Sequence, residues 1–173
     1  MDGVSNLPQL VMGPMVRRAD AGRVCFQFVT TRPCHYRIEF SGVETYSNLE
    51  SIQLGQHLYL NFINVMPVNG QFAVDSLIYY SLHDEEKSLD LSSYCYERAE
   101  SPAFVIPNRL DRILHGSCRN PHHPAKDSLV AADNWQNVRR QSLNAGADLL
   151  LLSGDQIYAD DVAGPMLLAI EKV

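Results

Sequence analysis

The spacing of apolar residues changes part-way along the chain, and this change limits the folds that the chain can adopt. In the first part, apolar and polar residues alternate, as in Arg23–Thr30, where Val24, Phe26 and Phe28 share one face. Such alternation is typical of strands with one buried face. In the last part, a segment with helical spacing precedes the uninterrupted apolar run Leu149–Leu152. The sequence therefore predicts a mixed fold, with antiparallel β structure first and α/β structure second.

The first part, residues 1–107, contains several strand-length segments separated by glycine, proline and asparagine turns. Short strands at this spacing predict an antiparallel β-sandwich of the immunoglobulin or fibronectin kind, followed by a connector. Within residues 8–82, no acidic cluster, nucleophile pair or glycine-rich phosphate loop occurs, so we interpret this part as a structural or binding module. The predicted strands lie in Arg23–Thr30, Tyr36–Phe40, His57–Val65 and Ala73–His83.

The second part, residues 108–173, has the order strand, helix, strand, which predicts one βαβ unit. Asp127 or Ser128 is expected to cap the helix, which is expected to run to about Asn144. The apolar run Leu149–Leu152 is typical of a strand buried on both faces of a parallel sheet. One βαβ unit cannot cover both faces, so we expect either a longer protein, a partner chain or self-association. A further helix is expected to begin within Gly164–Val173.

Chemically useful side chains follow both strands of the predicted unit. Cys118 follows the first strand, and Asp155 and Tyr158 follow the second. The carboxyl ends of parallel strands meet at one edge of a sheet, where ligands bind. A thiolate, a carboxylate and a phenolate there could hold a metal ion. Each also has a simpler interpretation: Cys118 as a small core residue, Asp155 as a turn former or cap, and Tyr158 as a packing residue.

Two neighbouring features leave alternatives open. Arg119 could hold a phosphate or form an ordinary ion pair. The adjacent histidines His122 and His123 could bind metal, although such residues in a proline-bounded loop are usually solvated.

The segments Gly116–Arg119 and Gly154–Asp160 together resemble the corresponding motifs of the PhoD-like alkaline phosphatases, in the calcineurin-like metallophosphoesterase superfamily. The resemblance implies that Cys118 ligates Fe³⁺, that Asp155 bridges the metals and that Tyr158 is a tyrosinate ligand. It further implies Ca²⁺ as the other cation and hydrolysis of phosphomonoesters or phosphodiesters by a metal-bound hydroxide.

The superfamily's later asparagine, histidine and aspartate motifs do not follow Tyr158 in this sequence. We therefore predict the amino-terminal part of such a metallophosphoesterase, inactive as an isolated chain. The alternative is a non-catalytic binding or interaction module that retains a remnant of the phosphatase domain. A thiol or redox enzyme is a weaker hypothesis, because the four cysteines include no CxxC pair.

Composition bears on partners and location. With 14 basic and 20 acidic residues, the formal net charge is −6, which argues against a nucleic-acid partner. No uncharged apolar run approaches the length of a membrane span, so no membrane association is expected. The first residues contain no basic-then-apolar leader, which predicts a cytoplasmic location. If a leader was removed, a periplasmic or secreted protein is expected instead.

Overall fold

The fold is mostly β, with antiparallel sheets, a small parallel sheet and, in the part of the chain described, one α-helix. This computed structural model describes residues 7–96, 99, 101–120, 123–139, 146–156, 158 and 164–165. The chain divides into two compact units, with the division between Ile106 and Pro107. Among these residues, no helix has the length and apolar character needed to cross a membrane.

In its described residues, the first unit contains two antiparallel sheets. One is four-stranded with the order β1-β2-β5-β4, and the other is three-stranded with the order β3-β6-β7. A short 3₁₀ turn, Ser92–Tyr94, lies between β6 and β7. The strands are β1 Leu10–Asp20, β2 Arg23–Thr30, β3 Arg37–Phe40, β4 Thr45–Gly55, β5 Leu58–Pro67, β6 Leu77–His83 and β7 Ala103–Val105.

One hydrophobic core joins the two sheets. The alternation predicted for β2 is confirmed, since Val24, Phe26 and Phe28 are all fully buried. The ring centroid of Phe26 lies 4.8 Å from that of Tyr80 on β6 and 5.8 Å from that of Phe104 on β7. Because these rings come from both sheets, the inward face of each strand is buried against the other sheet.

A buried carboxylate fixes the turn after β6. The Asp84 Oδ1 atom accepts hydrogen bonds from the backbone N–H groups of Lys87 at 2.8 Å and Glu86 at 2.9 Å. Its Oδ2 atom accepts from Gln9 at 3.1 Å and from Arg32 at 3.2 Å. The hydrogen bonds from Lys87, Glu86 and Gln9, together with the charge of Arg32, lower the pKa of Asp84 to about 2.

This pKa predicts how stability depends on pH. The unfolded-state pKa is near 3.8, so Asp84 stabilises the fold above that value and loses this effect as the pH falls towards 2. We expect the urea midpoint to fall between about pH 4 and pH 2, with a smaller fall in Asp84→Asn. The control Glu44→Gln, which removes an exposed carboxylate, should keep the wild-type dependence. Equal dependence in wild type and Asp84→Asn would contradict this assignment.

The second unit contains the predicted order of strand, helix and strand. It consists of β8 Ile113–Gly116, α1 Ser128–Arg139 and β9 Leu149–Leu152. The two strands are parallel and in register, with Ile113 opposite Leu149. The Leu129 N–H donates to Asp127 Oδ1 at 2.9 Å, which identifies Asp127 as the helix cap.

Parts of two predicted helices lie outside the described residues. The first helix was expected to reach Asn144, and residues 140–145 lie outside the described residues. Of the second, within Gly164–Val173, only Gly164 and Pro165 are described, and both are helical.

The prediction that β9 is buried on both faces is wrong. Leu149–Leu152 are each between 38% and 49% exposed. A parallel strand is buried only when layers of structure cover both faces of its sheet. Among the described residues this sheet has two strands, and α1 carries no buried residue along its described length. The two strands therefore present an apolar surface.

Candidate metal centre

The ends of β8 and β9 lie side by side, as parallel pairing requires. The Ser153 N–H donates to the Gly116 carbonyl at 3.0 Å, and the Cys118 N–H donates to the Gly154 carbonyl at 3.1 Å. The pairing thus continues beyond the last strand residues and holds the two following turns together. As a result, the segment after β8 and the segment after β9 form one site.

The other ends of the two strands are held by Asp148. Its Oδ2 atom accepts from the backbone N–H groups of Asp111 and Arg112 at 2.9 and 2.8 Å. Burial raises the pKa of Asp148, but hydrogen bonds from Arg112 and Asp111 outweigh this effect and lower it overall. The ionised carboxylate fixes the register of the strands and hence the position of the site at their far ends.

Both candidate ligands have a left-handed backbone. Cys118 has φ 56° and Asp155 has φ 49°, directly after Gly154 at φ 133°. Aspartate tolerates this conformation, whereas cysteine adopts it rarely. Unfavourable backbone conformations of this kind concentrate at functional sites, where the surrounding structure holds them in place. The geometry therefore gives Cys118 a feature that a simple packing role does not require.

The thiol and the carboxylate are in contact. The Cys118 Sγ atom lies 3.6 Å from Asp155 Oδ2 and donates a hydrogen bond to it. Both residues are exposed, so solutes can reach them, and the alternative interpretation of Cys118 as a small core residue is wrong. Sulfur and oxygen atoms this close can coordinate one cation between them.

The third candidate ligand is Tyr158. Tyr158 is half-buried and lies three positions beyond Asp155 in the chain, and its role as a ligand stays a prediction. Within the described ranges, no group of three histidine, cysteine, aspartate or glutamate side chains is close enough to hold a metal ion. The donors that the described site brings together are thus Cys118 and Asp155.

Arg119 forms an ion pair rather than an open anion site. Its Nε atom lies 3.2 and 3.1 Å from the two carboxylate oxygens of Asp127, and its Nη2 atom contacts the same carboxylate. The hydrogen bond from Arg119 has the largest effect on the pKa of Asp127 and lowers it. The backbone hydrogen bond from Leu129 lowers it further. The same pair raises the pKa of Arg119. Of the two alternatives, the structure favours the ion pair, which ties the Cys118 turn to the start of α1.

Only one of the two adjacent histidines is among the described residues. His122 lies outside the described residues, and the exposed His123 accepts a backbone hydrogen bond from Ala125 at 3.1 Å. Sequence analysis overlooked His115, whose Nε2 atom lies 2.8 Å from Ser153 Oγ. This contact depends on the parallel register, which places His115 opposite Leu151 and which local spacing does not encode.

Comparison with known proteins gives no relative: no protein-family model, curated protein or solved structure matches this chain.

Proposed function

We propose that this chain is the amino-terminal part of a metal-dependent phosphoric ester hydrolase resembling the PhoD-like alkaline phosphatases. In this proposal the first unit is the β-sandwich, and the second is the first βαβ unit of the catalytic domain. The observation that carries it is the 3.6 Å contact between Cys118 Sγ and Asp155 Oδ2. The motifs GSCR and GDxxY meet there at the ends of parallel strands, although their Cys118 and Asp155 are 37 positions apart in the chain.

The donor set fits the proposed metals. Cys118 offers a soft sulfur and Asp155 hard oxygens, and Tyr158 would add a phenolate that suits Fe³⁺. The carboxylate has a second oxygen with which it could bind a neighbouring Ca²⁺. When bound, such cations supply Lewis acidity that neutralises a phosphoryl group and favours a nucleophile near neutral pH. The role of the chain is to hold these donors at the sheet edge, where an ester can approach.

Arg119 supports this arrangement indirectly. Arg119 follows Cys118 in the chain, and its guanidinium forms a bidentate pair with Asp127, the capping residue of α1. Bidentate arginine–carboxylate pairs fix geometry as well as charge. We therefore assign Arg119 to positioning the Cys118 turn, rather than to binding the phosphate.

The test is the natural gene product, purified and assayed for metal and activity. We expect bound iron, a visible tyrosinate-to-Fe³⁺ charge-transfer band, and hydrolysis of p-nitrophenyl phosphate or bis(p-nitrophenyl) phosphate. The band should disappear in Tyr158→Phe and persist in the control Tyr94→Phe, which changes an exposed tyrosine of the first unit. An active, iron-free and colourless protein would refute the metal assignment.

A non-catalytic binding module is the second candidate. It is favoured by the exposed apolar surface of β8 and β9, which a partner could cover. It predicts a gene product that binds neither iron nor calcium and hydrolyses neither ester. The same assay therefore separates the two functions.

A further inference from the structure

The four-stranded sheet of the first unit has two very different edges. At one edge, β1 contains Pro14, the adjacent cations Arg17 and Arg18, and three shifts of register against β2. Prolines, charges and irregular pairing are the usual means by which an edge strand avoids pairing with another chain. This edge is therefore protected.

The other edge, β4, lacks these protective features. It runs for 11 residues without proline or a basic side chain, and its only charged residue is Glu50. Its pairing with β5 is unbroken from Thr45 to Gln53. No other strand among the described residues pairs with its outer side. A long, regular strand of this kind presents a row of backbone donors and acceptors to a further strand.

Large apolar side chains of β4 are also exposed to solvent. Tyr46 and Ile52 are 56% and 45% exposed, and they project from the face of the sheet opposite the core. On this face they stand beside Met66 and Leu60 of β5. A strand added to β4 would therefore gain apolar cross-strand contacts as well as main-chain hydrogen bonds.

We propose that β4 pairs antiparallel with β4 of a second copy of this chain, centred on Leu49. In an antiparallel pair, opposite residues point to the same face, and a two-fold axis at Leu49 aligns the regular stretch Thr45–Gln53 with itself. Tyr46 then faces Ile52 of the other copy, and Asn48 faces Glu50. The two four-stranded sheets become one eight-stranded sheet.

The pairing chemistry favours this second copy as the occupant. An aromatic residue opposite a β-branched one is a favourable cross-strand pair, and it occurs twice by symmetry. The amide of Asn48 can donate to the carboxylate of Glu50, again twice. The two Glu50 side chains lie on a diagonal rather than directly opposite each other, so the only charge on the strand does not face its own copy.

The register can be tested by charge substitution. In Asn48→Glu, each introduced carboxylate faces Glu50 of the other copy, and this repulsive pair occurs twice by symmetry. We therefore expect the dimer Kd to rise about tenfold or more. The double variant Asn48→Glu/Glu50→Lys places opposite charges across the interface and should restore dimerisation. Asn48→Gln, which keeps the amide, and Met15→Lys, a charge at the protected edge, are the controls and should leave the Kd near wild type.

Sedimentation equilibrium over a micromolar concentration series measures these constants, with circular dichroism to confirm that each variant is folded. A wild-type protein that stays monomeric would overturn the proposal. So would self-association that Asn48→Glu leaves unchanged, since the apolar surface of β8 and β9 would then be responsible.

Hydrogen exchange provides a measurement on the unaltered chain. The β4 amides that point away from β5 should exchange slowly in the dimer and become faster on dilution. Exchange rates in β4 that do not depend on concentration would overturn the proposal. The outcome is independent of metal binding, so it does not depend on the proposed hydrolase function.

Discussion

Replacing Phe26 with alanine is expected to lower the free energy of unfolding of the first unit by about 3–5 kcal/mol. Phe26 is fully buried, and its ring packs against aromatic residues of the opposite sheet. Alanine leaves a cavity that the rigid pairing of β2 between β1 and β5 prevents from closing. For a unit of this size, we expect a fall in Tm of roughly 12 °C or more.

The matched control is Phe62→Ala. Phe62 lies opposite Gln27 on the neighbouring strand β5, so it faces away from the core and is only half-buried. The same loss of atoms there should cost much less stability. Urea unfolding followed by circular dichroism measures both variants. Equal losses would show that the core does not lie where the alternation of β2 places it.

Replacing Asp155 with asparagine is expected to abolish or greatly weaken iron binding by the natural gene product. The substitution removes one negative oxygen donor, and we expect affinity to fall by about a hundredfold or more, beyond what losing an outer-shell partner costs. The fold should persist, because asparagine accepts the left-handed backbone of this position as readily as aspartate does.

Asp133→Asn is the control, since it makes the same chemical change at a residue of α1 that is not a candidate ligand. Iron titration after removal of metal measures affinity, and circular dichroism reports the fold. If Asp155→Asn binds iron as wild type does, the metal assignment fails. If Cys118→Gly, which suits the left-handed backbone but lacks the sulfur, also keeps its iron, Cys118 is not a ligand.

Local patterns predicted several elements of the fold because such patterns depend only on neighbours in the chain. They did not predict β1 and β4, which lie outside the predicted strands. The alternation around Phe26 predicted both the strand and its buried face, and Asp127 was one of the two predicted caps for α1. The contact between Cys118 and Asp155 was also foreseeable, since parallel strands bring their carboxyl ends together.

The rest depended on what lies beside each element in space. The four leucines of β9 predicted a buried strand, but these side chains are exposed. Burial depends on covering layers that a short segment cannot specify. The sequence left open whether Arg119 binds a phosphate or forms an ion pair. The structure favours the ion pair, because the turn after β8 brings Arg119 within reach of Asp127. The left-handed backbone of Cys118 likewise arises from the pairing of two turns.

The sequence by itself determined the alternation of the strands, the strand–helix–strand order and the candidate ligands, because these follow from the spacing and chemistry of residues along the chain. Only the tertiary structure decided which sheet edge is open, how Arg119 is used and how closely the thiol approaches the carboxylate. Those properties depend on register and packing between segments distant in sequence, which local spacing does not encode.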